Sequence, residues 1–238
     1  MPATTERSIA QHISNFKLII DHSTTFGPQF NPSNPLLSIP SLMSSWNNTT
    51  ALQETFTSLF MASKHTVNAR KDLYKRINKL VTRTLNFFQS TDASDLIIKD
   101  AKGIADRLRG HGVRRKKLPD GTNDPNHISN SHLSYSQRLD SFRQLLSLYA
   151  SNPNYAPNET DIQIPTLQAL ASEMQTANDT ISATLAPVIA ARIARDEALY
   201  NENTGLYALV KAVKQYVKAV FGASSPEYKS ISGIDFRK

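Results

Sequence analysis

Two copies of one pattern run through this chain, and a chain built that way must give both copies a fold they can share. Phe30-Asn31-Pro32 is followed by Leu37 and then Ile39-Pro40-Ser41-Leu42. Tyr155-Ala156-Pro157 is followed by Ile162 and then Ile164-Pro165-Thr166-Leu167, at a constant offset of 125 residues. Ile13-Ser14-Asn15-Phe16-Lys17 matches Leu139-Asp140-Ser141-Phe142-Arg143 at offset 126, as Asp72-Leu73-Tyr74 matches Ala198-Leu199-Tyr200. Lys99-Asp100-Ala101-Lys102-Gly103-Ile104 closes the match against Lys229-Ser230-Ile231-Ser232-Gly233-Ile234 at offset 130. Chance does not hold such an order from Ile13 to Ile104, so the sequence reads as an internal duplication. The copies span residues 8–104 and 134–234, with a basic linker rich in Gly, Pro and Asn over 105–133.

Each copy is expected to be helical. Only 8 of 238 residues are glycine, and Leu, Ala, Lys, Gln and Glu are abundant, which favours helix. Ile9, Ile13, Phe16, Ile19 and Ile20 share one helical face, as do Leu139, Phe142, Leu145, Leu146 and Tyr149. Pro32, Pro35 and Pro40, like Pro153, Pro157 and Pro165, then force an extended connection. A long helix should begin at Ile-Pro-Ser/Thr-Leu, with proline in the first turn where its missing N–H costs nothing. It is expected to reach Tyr74 in one copy and Tyr200 in the other, roughly 50 Å at 1.5 Å per residue. Pro187 should kink the second copy.

A return helix should bury Ile77, Leu80, Val81, Thr84, Leu85 and Phe88 in the first copy and Leu206, Leu209, Val210, Val213, Val217, Val220 and Phe221 in the second. Asn201 to Gly205 breaks the chain before the second return helix; the first copy is three residues shorter there and can run on without a turn. Gly222 and Pro226 should stop the second return helix. Gly103 and Gly233 read as changes of chain direction after a helix. The expected fold is all-α: an internally duplicated antiparallel helical bundle with long helices and Pro-containing extended crossovers. Its copies pack either as one unit about a pseudo-twofold axis or as two small bundles.

No catalytic, cofactor or metal site is expected. The chain has no cysteine, which removes thiolate ligands and thiol nucleophiles, and no nucleophile elbow or glycine-rich phosphate loop. His127 and His132 lie in the linker, where no helical register fixes ligand geometry. Arg192 and Asp196 are an ordinary i,i+4 pair. Phe87, Phe88, Tyr216, Phe221 and Trp46 suit core positions. Met1 to Ile20 lacks a secretory pattern, its apolar residues being interrupted by Glu6, Arg7, Gln11 and His12, and no apolar run is long enough to span a membrane. A cytoplasmic protein is expected.

The net charge of +7 has a local source in Arg107, Arg109, Arg114, Arg115, Lys116 and Lys117. Arg70, Lys71, Lys75, Arg76, Lys79 and Arg83 form a basic band in the first copy. Candidate polyanion-binding residues are Arg114, Arg115, Lys116 and Lys117, with Lys211, Lys214 and Lys218 on one face of the second return helix. The competing reading is a solvated helix face, and recognition aromatics are not evidently interleaved with these residues.

Asn152-Pro153-Asn154-Tyr155-Ala156-Pro157-Asn158-Glu159, Ala191 to Tyr200 and Tyr216 to Pro226 resemble an uncharacterised family of proteins from Bacteroidota bacteria. The resemblance covers most of residues 134–234 and implies a bacterial helical protein without a signal peptide; it implies no activity and no site residues. The function expected is that of a non-enzymatic structural or self-associating protein, a subunit of a homo-oligomer or filament. The alternative is a polyanion- or nucleic-acid-binding module.

Overall fold

The computed structural model describes residues 8–110 and 134–236. Among these residues there are seven α-helices and no strand: α1 (Ile9–Thr25), α2 (Ile39–Gln89), α3 (Asp95–Arg109), α4 (Tyr135–Ala150), α5 (Ile164–Tyr200), α6 (Leu206–Phe221) and α7 (Pro226–Ser232). Residues 111–133, with most of the proposed linker, lie outside the described part.

The helices begin where local chemistry satisfies their first N–H groups. The Ser8 hydroxyl accepts from Gln11 N at 3.2 Å, and Ser134 and Gln137 form a reciprocal capping box on α4. Ser225 caps α7, with Pro226 at its first position. The two Ile-Pro motifs do open α2 and α5. Between α1 and α2 the chain is held by Asn31 N, which donates to the Tyr216 hydroxyl at 3.0 Å. Between α4 and α5 the Tyr155 hydroxyl donates to Ile162 O at 2.8 Å.

The first copy runs on without a turn, as its shorter sequence allows: α2 is continuous through Tyr74 to Gln89, because the turn residues found before α6 are missing. In the second copy Asn201 Oδ1 accepts from Asn203 N at 2.9 Å and Thr204 N at 3.0 Å. Gly205 closes this turn so tightly that a Cβ would lie 2.6 Å from Asn201 N and 2.8 Å from Leu199 O. Other expectations need correction. Gly103 sits inside α3 and turns nothing, whereas Gly233 caps α7. The linker does not begin at 105, since Ala105 and Leu108 are buried in α3, which ends at Gly110 with a φ of 78°. Val220 is exposed and Leu80 only half-buried. Gly222 does stop α6, with a φ of 93°.

The chain divides into two compact units, residues 1–63 with 185–238 and residues 64–184. The boundaries fall within α2 and α5, so each unit draws on both sequence copies. In the first unit, Phe16, Ile19 and Ile20 of α1 and Leu42 of α2 share a core with Leu199 of α5, Leu209, Val213 and Val217 of α6, and Ile231 of α7. Arg195 of α5 lies 4.3 Å over the Phe56 ring and bonds its neighbour Asp196 at 2.6 Å; the expected Arg192–Asp196 pair does not form, and Arg192 also faces Phe56, at 5.7 Å. In the second unit, Ile77, Val81 and Phe88 of α2 and Leu108 of α3 share a core with Phe142, Leu145 and Tyr149 of α4 and Leu167 of α5.

Aromatic stacking anchors that second core. Tyr149 and Tyr155 lie parallel at 4.2 Å, and the Tyr149 hydroxyl donates to Thr84 Oγ1 at 3.4 Å. Burial pushes the Tyr149 phenol from its ordinary 10 up to about 12, and burial raises Tyr155 as well. A phenol whose folded pKa exceeds its unfolded value favours the fold fully below pH 10 and loses that contribution as pH rises toward 12. Stability should therefore fall between pH 10 and pH 12, Tyr149 accounting for roughly 2–3 kcal/mol of the loss. Urea midpoints across this range should show the fall, and Tyr149→Phe should flatten it; an identical slope in the variant would contradict the assignment.

Candidate functional site

Lys211, Lys214 and Lys218 recur at i, i+3 and i+7 along α6, each directly after a residue of the buried row Val210, Val213 and Val217, so the two rows lie side by side on the helix. That register places all three on the wall of one cleft of about 620 Å3. Tyr200 and Asn201 line it from the end of α5, Tyr207 and Gln215 from α6, Tyr228 from α7, and Phe236 from the segment beyond. Among the described residues Glu202 is the one acidic side chain in the lining.

The three lysines are not equivalent. Lys214 Nζ donates to Ser232 O at 3.2 Å and Ile234 O at 2.7 Å, capping carbonyls at the end of α7. Burial lowers its pKa, and the nearby charge of Asp235 works against that shift. Lys214 is thus first a structural tie. Lys211 and Lys218 are exposed, and Lys218 Nζ stands 5.9 Å from the centroid of the Tyr228 ring. Tyr207 meets Tyr200 at 5.1 Å and the edge of Phe236 at 4.8 Å. His12 of α1 touches the same group, 5.3 Å from Tyr207 and 5.1 Å from Phe236.

Aromatics therefore do stand among these lysines. Tyr207 lies one turn before Lys211 and is visible in the register of α6. Tyr228 and Phe236 arrive from α7 and the segment after it, and only the fold brings them to the lysines.

Among the described residues, the basic band of the first copy does not line this cleft. Arg114, Arg115, Lys116 and Lys117 lie outside the described residues, as do His127 and His132. In the basic band of the first copy, Arg83 pairs with Asp161, Lys75 pairs with Asp72 at 3.2 Å, and Arg70 stacks 3.9 Å over Tyr135. Trp46 is half-buried against the first core, with Lys17 Nζ 5.7 Å from its ring. Among the described residues no cluster of His, Asp or Glu is arranged to hold a metal ion. None of the described helices is long and apolar enough to cross a membrane.

A second surface is apolar. Leu185, Ile189 and Ile193 follow one another at i, i+4 and i+8 on α5 and are 42%, 56% and 64% exposed. Ala186, Ala190 and Ala194 form the adjacent row and are also exposed. No family model, curated protein or solved structure matches the chain.

Proposed function

We propose that this chain is a duplicated, non-enzymatic helical subunit that associates with copies of itself in the cytoplasm. The observation that carries this reading is the exposed row Leu185, Ile189 and Ile193. A soluble helix face normally turns such a row inward. Residues spaced by four form a ridge, and ridges pack into the grooves of a facing helix. The alanine row beside the ridge supplies a groove of matching direction. One face thus carries both parts of a helix–helix contact, and a surface complementary to itself suits a twofold pair of identical chains.

The duplication is supported by matched environments. Phe16 and Phe142, Ile19 and Leu145, Leu42 and Leu167, Ile77 and Leu206, Val81 and Val210, Phe88 and Val217, and Ala101 and Ile231 are buried as pairs. The apolar ridge is duplicated only at its first residue: at offset 125, Phe60 matches Leu185, but Lys64 and Asn68 stand where the second copy has Ile189 and Ile193. One copy has thus kept charge and amide groups at positions where the other presents apolar surface.

Sedimentation equilibrium tests the association. The wild type should show a mass that rises with concentration above the 26.4 kDa of one chain. Ile189→Asp should hold the chain at the single-chain mass, because it places a charge in the contact while leaving the core untouched. A wild type that stays monomeric at high concentration and near-physiological salt would overturn the proposal.

A further inference from the structure

We propose that the cleft along α6 is a binding site for a nucleoside monophosphate, the phosphate held by Lys211 and Lys218 and the base laid against the aromatic side chains. The volume, about 620 Å3, is within the range of sites that enclose small ligands. The charge in the lining is three lysines against one glutamate. Lys214 is fixed by its two carbonyl bonds, so it contributes positive potential without moving. Lys211 and Lys218 lie one to either side of it in the helical register, with exposed side chains and no ion pair among the described residues. Lys211 and Lys218 stand about 10 Å apart along the helix axis, and their flexible side chains can converge on one dianion beside the fixed Lys214.

The remaining lining suits a flat ring. Tyr228 stands beside Lys218, and Tyr207 with Phe236 forms an edge-to-face pair on the cleft wall. Nucleobases stack on such faces whatever their identity, and a lysine beside the ring adds attraction for the electron-rich face. Gln215 brings an amide donor and acceptor to the same lining, groups that can pair with a base edge or ribose hydroxyl. An anion site alone would not need the aromatic wall, and an apolar site would not need the lysines. A nucleotide uses both.

The binding is separate from association, since Lys211 and Lys218 belong to α6 and the apolar ridge to α5. The test is calorimetric titration of the whole chain with AMP, GMP, CMP and UMP at ~50 mM salt, where phosphate contacts are least screened. Adenosine and inorganic phosphate serve as the separated parts. At least one mononucleotide should bind saturably at one site per chain, with adenosine and phosphate each weaker by about tenfold or more. Lys218→Ala and Lys211→Ala should each weaken it about tenfold, the loss of one charged contact. Tyr228→Leu should weaken the nucleotide and leave phosphate unchanged. Thermal midpoints of the two lysine variants should match the wild type, so that a folding defect is not mistaken for lost binding. Four results would each overturn the proposal: no mononucleotide binding up to millimolar concentration; phosphate binding as tightly as the nucleotides; affinity unchanged in Lys218→Ala; or binding of a ten-nucleotide single strand without any mononucleotide, which would make the surface a nucleic-acid track.

Discussion

Phe16→Ala should lower the unfolding free energy by about 3–5 kcal/mol, the cost of deleting a large aromatic side chain from a packed interior. Phe16 has no exposed surface, and it stands beside Phe236 with ring centres 6.4 Å apart. The aromatic group it supports includes Tyr207, so the loss should also loosen the wall of the α6 cleft. Leu18, two residues along α1 and 45% exposed, is the control: Leu18→Ala should change stability by no more than about 0.5 kcal/mol. Urea unfolding of both variants measures the difference. Equal, small effects at the two positions would mean that the buried face of α1 is not the one described.

Leu209→Ala should cost about 2–5 kcal/mol. Leu209 is 3% exposed, between Leu206 and Val213, which have no exposed surface at all. Its counterpart at offset 129, Leu80, is only half-buried, so Leu80→Ala should cost less than Leu209→Ala. Matching sequence positions thus have related but unequal surroundings. Denaturant midpoints of the two variants, compared at constant slope, would measure that inequality.

Much of the helical content was legible because an amphipathic stripe and a proline at a helix start each have a local cause. The row of Ile9, Ile13, Phe16, Ile19 and Ile20 needs only a period of 3.6 to be read, and Ile39-Pro40 needs only the restriction that proline places on its own backbone. The break at Asn201 to Gly205 was legible for the same reason, as was its absence from the first copy. The partners of each stripe were not. Periodicity says which face of α1 is buried but carries no information that α6 and α7, from the other end of the chain, will cover it. Helices α3 and α7 were missed as elements: Gly103 read as a change of direction although it lies inside α3, and α7 has only seven residues after Ser225.

The site was legible in part for the same physical reason. Lys211, Lys214 and Lys218 follow a helical period and were visible as a row. That Lys214 is spent on the carbonyls of Ser232 and Ile234 depends on where α7 ends, a non-local fact. The exposed row on α5 was concealed differently: Leu185, Ile189 and Ile193 look in sequence like any buried stripe, and only the fold shows them facing outward.

Each core in this account combines segments from both sequence copies, and hydrogen exchange in Leu209→Ala tests that directly. Leu209 shares its core with α1 of the first copy, whereas α4 of its own copy belongs to the other core. Local opening spreads through the segments that lose packing. Amide protection should therefore fall in α1, around Phe16, Ile19 and Ile20, together with α6, while Phe142, Leu145 and Tyr149 of α4 keep wild-type protection. Loss of protection in α4 alongside α6, with α1 unaffected, would show that each sequence copy folds on itself and would contradict the account.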